Sequence, residues 1–262
     1  MCKHFWSSDV GFDTDFAMSR EVSGRVHRVS RSIAVQAHRG SPDPAGGVRE
    51  NTLAAFARAR SHGADGVELD VRLTADGGLA VHHDPVIEGL GPIHELQTAD
   101  LPSHVPLLAD ALEACAGMMV NVEVKNLPTE PAFDPTERCA GAVVDVVAAA
   151  GALGGVLVSS FWAGALAAVR ATGVDLPTGL LVLPSYDVAD ALAGAVDLGC
   201  AAVHLPVPLV TADAVAGAHA VGLAVAVWTV ATGDVLADVI EAGVDTVITD
   251  DVPLACRFAD RP

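Results

Sequence analysis

Aromatic side chains make up only 4% of this 262-residue chain, and among its fifteen lysines and arginines only Lys3 and Lys125 are lysine. With so few large rings, the core has to be filled by small aliphatic side chains, which suits a composition that is 51% hydrophobic and rich in Ala and Val. Cysteine is also sparse: Cys2, Cys115, Cys139, Cys200 and Cys256 are scattered and odd in number, with no C-x-x-C spacing. That excludes a disulfide framework or a thiolate metal centre and reads as reduced thiols of a cytoplasmic protein. No apolar signal-peptide core precedes residue 31, where acidic residues occur instead. The one long uncharged stretch, 146–169, is broken at Gly151 and at Gly154-Gly155 and carries Ser159-Ser160. It reads as a helix end, a loop, a buried strand and a helix start, so no stable membrane insertion is expected. Also missing are a Gly-x-Ser-x-Gly elbow, a P-loop and a dinucleotide fingerprint.

What the chain does have is acid. Its formal charge of −18 repels nucleic acid and anionic membranes, so neither is an expected partner. An anionic substrate then needs a local reversal of the field, which a divalent metal and one or two basic side chains supply. No Pro/Gly/Ser-rich linker follows residue 50, which favours one domain.

From residue 33, β-branched runs alternate with Ala-rich amphipathic stretches, the pattern of βα repeats around a parallel sheet. Strands are predicted at 33–37, 66–71, 119–124, 155–159, 178–182, 201–205, 223–228 and 245–249. Helices are predicted at 51–62, 106–116, 134–150, 162–172, 187–198, 211–220 and 232–242. Gly63, Gly151, Gly173, Gly222 and Gly243 stand where helix C-caps belong, and Asp76-Gly77-Gly78 reads as a turn returning through Leu79-Ala80-Val81. Eight strands point to an α/β fold, a TIM-type (β/α)8 barrel in a single domain over residues 32–258. Residues 1–31 show no sustained period and are expected to be a poorly ordered tail.

Chemistry gathers at strand ends. In Val67-Glu68-Leu69-Asp70-Val71 the carboxylates are two apart, so a strand points both the same way, and Asn121-Val122-Glu123-Val124-Lys125 repeats the spacing. Glu68, Asp70 and Glu123 offer three oxygen ligands and no sulfur, a set suited to Mg2+ or Ca2+; Arg39, Arg72 and Lys125 are the basic residues available if the carboxylates are ion pairs instead. His38-Arg39-Gly40 ends the first strand and His82-His83-Asp84 ends the extension of the second. Histidines from two strands can divide the work of general acid and base. Lys125, the one lysine of the body, suits contact with a phosphate oxygen where a broad guanidinium would not fit. Phosphodiester cleavage uses all of these parts together.

At these residues the chain resembles the glycerophosphodiester phosphodiesterases. The matching series runs His38-Arg39-Gly40, Glu50-Asn51-Thr52, Glu68-Leu69-Asp70-Val71, Thr74-Ala75-Asp76-Gly77, His83-Asp84, Asn121 to Lys125, Ser159-Ser160-Phe161, Val227-Trp228-Thr229, and Gly243-Val244-Asp245 through Thr249-Asp250. The resemblance implies His38 and His83 as the acid/base pair, Arg39 and Lys125 on the phosphate, and Glu68, Asp70 and Glu123 around a divalent metal. It implies that a glycerol hydroxyl attacks the neighbouring phosphate and that water opens the resulting cyclic ester. Trp228 would lie against the glycerol carbons, its alternative being core packing. Glu50 and Asn51 would support the site, with Asn51 having the alternative of a helix N-cap. His82 does not match the catalytic position. After Asp84 many relatives carry a Leu-Asp-Arg-Thr-Thr run and a longer insertion, whereas this chain has Pro85 to Gly91 and reaches Glu123 quickly. The expected activity is metal-dependent hydrolysis of glycerophosphodiesters to sn-glycerol 3-phosphate and an alcohol. A lysophospholipase D acting on lipid substrates and a non-catalytic barrel binding a phosphorylated ligand are the alternatives.

Overall fold

A computed structural model describes residues 33–259 of the chain. Eight parallel strands close on themselves in sequence order: β1 (Ala34–Ala37), β2 (Gly66–Leu73), β3 (Met119–Val124), β4 (Val156–Ser160), β5 (Thr178–Leu181), β6 (Ala202–Pro206), β7 (Ala224–Val230) and β8 (Thr246–Thr249). Closure comes from β1, which pairs with β8 through Ala37↔Thr249 on one side and with β2 through Ala37↔Val67 on the other. This is the TIM barrel that the alternating pattern predicts. The helices are α1 (Leu53–Ser61), α2 (Leu108–Ala114), α3 (Arg138–Ala149), α4 (Ala163–Ala171), α5 (Val188–Asp197), α6 (Ala212–Ala220), α7 (Gly233–Ala242) and α8 (Val252–Ala259). The expected tail over 1–31 lies outside the described residues.

Alternation along the strands separates packing from chemistry. On β2, Val67, Leu69 and Val71 are fully buried in the main apolar cluster, which also holds Phe56 of α1 and Leu108 of α2. Glu68, Asp70 and Arg72 take the other face, toward the barrel axis. The five proposed capping glycines all have positive φ, from 65° at Gly151 to 89° at Gly243, the conformation that ends a helix without a Cβ clash. The predicted return is present as well, with Leu79–Val81 antiparallel to the end of β2 in the register Val71↔Val81 and Leu73↔Leu79. No helix among the described residues is long and apolar enough to cross a membrane, and 146–169 divides between α3, β4 and α4.

Two details differ from the sequence reading. The eighth helix, α8, is not among those predicted, and its proline is no obstacle to it. Pro253 occupies the first turn, where its missing N–H costs nothing, and the Asp251 carboxylate accepts the Leu254 amide at 2.9 Å. The N-cap of α1 is Thr52, whose hydroxyl accepts from Ala55 N at 3.2 Å, and not Asn51. The short segment after Asp84 pairs Val86–Ile87 with Gly91–Pro92, and Ile87 and Ile93 join Ala80 and Val105 in a small separate apolar cluster.

Candidate active site

Three buried carboxylates meet at the barrel mouth. Glu68 and Asp70 come from β2 and Glu123 from β3, adjacent strands whose register sets Asp70 opposite Glu123. Each offers an oxygen within 4.8 Å of the others, and the residues are only 4%, 1% and 7% exposed. Two cations adjoin them. Lys125 Nζ lies 3.1 Å from Asp70 Oδ1 and contacts Glu123 Oε1 more closely still, while Arg39 Nε is 3.4 Å from Asp70 Oδ2. Lys125 is therefore an enclosed partner of the cluster, its side chain 8% exposed. Arg72 is not, because its guanidinium turns away to Glu130.

The turn after β1 shapes the cation side. Arg39 has φ 53° and Gly40 φ 82°, a left-handed pair that directs the Arg39 amide to Glu68 Oε2 at 3.0 Å. A Cβ at Gly40 would come within 2.8 Å of the Ala55 Cβ, so only glycine fits. The Arg39 guanidinium bonds Glu50 Oε1 at 2.9 Å. Buried Asn51, also at positive φ, donates to Asp70 Oδ2 at 2.7 Å and accepts the Asp70 amide at 3.3 Å. It thus supports Asp70 from the position just before the N-cap of α1.

Both histidines are fixed through the same ring nitrogen. His38 Nδ1 is 2.8 Å from Asp250 Oδ1, and His83 Nδ1 is 2.8 Å from Asp84 Oδ1. Each Nδ1 carries the proton toward its aspartate, which leaves Nε2 as the ring nitrogen not engaged by it; His38 Nε2 stands 4.0 Å from Glu68. Burial would lower the His38 pKa, but the Asp250 hydrogen bond and the charge of Glu68 outweigh it and raise it. Burial lowers His83, with Lys125 and Arg39 acting in the same sense against Asp70. His82 has its Nδ1 3.1 Å from the Asp84 carbonyl. The Trp228 indole N–H donates to His204 O at 3.1 Å and its ring meets Phe161 edge-on at 5.5 Å.

The carboxylate set fits a hard divalent cation. Burial and the neighbouring Asp70 push Glu68 up to about 8, so three charges together are unfavourable with protein cations alone. Burial likewise raises Glu123 against the pull of Lys125. Asp70 Oδ1 and Glu123 Oε1 are enclosed and share one ammonium, that of Lys125, between them, and both belong to the trio. A divalent ion held by these oxygens would satisfy them and permit all three charges. Asp250 and Asp84 were missing from the sequence-based site; the signal for each is an aspartate directly following a strand end or a histidine.

Comparison with known proteins points to one family. A family model described as the glycerophosphoryl diester phosphodiesterase family matches residues 38–254. The glycerophosphodiester phosphodiesterase of Caldanaerobacter subterraneus subsp. tengcongensis is 29% identical over 238 residues, covering 83% of this chain and 93% of that protein. Among solved structures, a putative glycerophosphoryl diester phosphodiesterase of Silicibacter pomeroyi superposes with a TM-score of 0.77 at 26% identity, covering 87% of this chain and 93% of the other. An Oleispira antarctica phosphodiesterase in complex with the product sn-glycerol-3-phosphate gives 0.75 at 25% identity, covering 87% and 97%. The carboxylate trio, the two histidines and the barrel that carries them thus sit within a match spanning nearly the whole described body, and the chain belongs to the glycerophosphoryl diester phosphodiesterase family.

Proposed function

We propose that this protein hydrolyses glycerophosphodiesters to sn-glycerol 3-phosphate and an alcohol, using a divalent metal and the histidine pair His38 and His83. The carrying observation is the buried trio Glu68, Asp70 and Glu123 beside Lys125 and Arg39, with the two histidines anchored through Nδ1. A bound Mg2+ or Ca2+ would supply Lewis-acid neutralisation of phosphate charge. Arg39 and Lys125 would hold the remaining phosphate oxygens, reversing locally the field of an acidic protein. One histidine Nε2 would remove the proton of the glycerol hydroxyl next to the phosphate, and the other would protonate the departing alkoxide. Attack of that hydroxyl on phosphorus expels the alcohol and forms a cyclic phosphate, which water opens with the roles reversed. Trp228 would offer an apolar wall to the glycerol carbons. The enclosed, unpaired thiols Cys115, Cys139 and Cys200 are in keeping with a cytoplasmic setting.

Turnover of glycerophosphocholine with and without chelator tests this reading. Glycerol 3-phosphate should accumulate, cease on chelation and return with Mg2+ or Ca2+. Full activity in stripped enzyme, or release of phosphocholine instead, overturns it. A second reading, lysophospholipase D action on lipid substrates, draws on Leu90, Leu183 and Tyr186, which are 48%, 43% and 57% exposed on segments following His83 and β5. Faster turnover of lysophosphatidylcholine than of glycerophosphocholine would favour it.

A further inference from the structure

The strand that carries two of the carboxylates also grips the backbone of a histidine. Glu68, Asp70 and Arg72 are successive residues on one face of β2, and the third of them, only 5% exposed, donates Nε to the carbonyl oxygen of His83 at 2.7 Å. Its two terminal nitrogens form a fork onto the carboxylate of Glu130 at 2.7 and 3.0 Å. Glu130 belongs to the connection between β3 and α3, and that connection is itself anchored. Asn126 there holds Asp134 O and Glu137, and Glu137 in turn accepts the indole N–H of Trp162 at 2.7 Å.

His83 needs such a hold. It lies beyond the last residue of the return strand, Val81, in a stretch without regular structure, and its aspartate partner, Asp84, is largely exposed. The His82 amide is tied to Asp70 O at 3.0 Å, but past that point Arg72 supplies the buried contact to the His83 backbone. A guanidinium serves here because it can donate Nε to one acceptor while its planar fork meets a carboxylate.

We propose that Arg72, held by Glu130, is a positioning residue for His83, fixing the histidine in register with Asp70 on the same strand. The inference rests on the reading of His83 as one of the two proton-transfer groups. It goes beyond that reading by assigning a role to an ion pair whose hydrogen bonds run to the His83 backbone and between its own members and not to the carboxylate trio. Without Arg72 the His83 backbone is free to drift, and a displacement of about 1 Å at a reacting group costs up to roughly a hundredfold in rate.

The experiment is a double-mutant cycle on glycerophosphocholine with Arg72→Gln, His83→Ala and the double variant, with thermal melts on each. Arg72→Gln should lower kcat by about ten- to a hundredfold with KM unchanged. In the His83→Ala background the same substitution should cost almost nothing, because the group it positions is gone. Arg72→Lys should recover only part of the loss, and Glu130→Gln, which leaves the arginine in place, should give a smaller loss with the same dependence on His83. Equal losses from Arg72→Gln in both backgrounds would make its role general to the fold and overturn the proposal, as would full activity in Arg72→Gln. Should Arg72→Gln fail to fold, Glu130→Gln in the two backgrounds decides by the same criterion. Undiminished kcat in His83→Ala would instead sink the catalytic reading of His83, a result distinct from failure of the cycle.

Discussion

Two adjacent imidazoles bond different atoms of Asp84, and that difference sets the sharpest residue-level test. His83 shares its field with Asp70, Lys125 and Arg39, whereas His82 bonds the Asp84 carbonyl. His83→Ala should lower kcat by about 10²- to 10⁴-fold, the share of a general acid or base, and His82→Ala far less. Equal losses in two folded variants would contradict the placement. Lys125 gives the second test. Lys125→Met keeps the stem but removes an ammonium packed against Asp70 and Glu123, so kcat/KM should drop by roughly tenfold to a thousandfold. Lys125→Arg should rescue it only in part, since the fork is larger and spreads its donors. Steady-state kinetics on all three proteins, with melts, measures this; an unchanged Lys125→Met would remove the lysine from the site. The trio Glu68, Asp70 and Glu123 was legible because period-2 spacing on a strand fixes side-chain direction. Asp250 was not legible in its role, because its contact with His38 joins residues 212 positions apart and no local period encodes it, whereas Asp84 stands next to its partner His83 and Asn51 was expected to support the site.

At the scale of elements, the strand and helix pattern could be read almost throughout, since apolar alternation and capping glycines are local signals. The exceptions had local causes too. Pro253 resembles a breaker but suits a first turn, and Thr52 competes with Asn51 as the cap of α1. A glycine inside β5 carries the element-level prediction. A Cβ built on Gly179 would lie 2.6 Å from Nε2 of His204 on the neighbouring strand β6 and 3.0 Å from its Cδ2. The imidazole is a rigid, fully enclosed ring and cannot give way, so Gly179→Ala should destabilise the barrel by about 1–3 kcal/mol. Urea unfolding checks it, and a variant as stable as the parent would show that β5 and β6 separate more easily than their packing indicates.

The same histidine makes the stability of the whole molecule depend on pH. Burial drives the His204 pKa from 6.5 to about 4, so the folded protein keeps the ring neutral while the unfolded chain protonates it. Between those values the unfolded state binds the extra proton, and stability rises with pH. The contribution is therefore complete above about 6.5 and is lost as pH falls toward 4, by an amount on the order of 3 kcal/mol. Unfolding midpoints at pH 5 and pH 7.5 should differ more in the parent than in His204→Gln; identical differences would refute a buried neutral ring. By itself the sequence determined the barrel and the residues able to bind metal, because strand periodicity, helix capping and hard-ligand chemistry all act over a few neighbours. Only the tertiary structure decided that Lys125 is enclosed between two carboxylates, that Arg72 leaves the cluster for Glu130 and His83, and that Asp250 closes onto His38. Those choices depend on the register and closure of strands far apart in the chain, where burial lets each charge accept only the partner that geometry brings within reach.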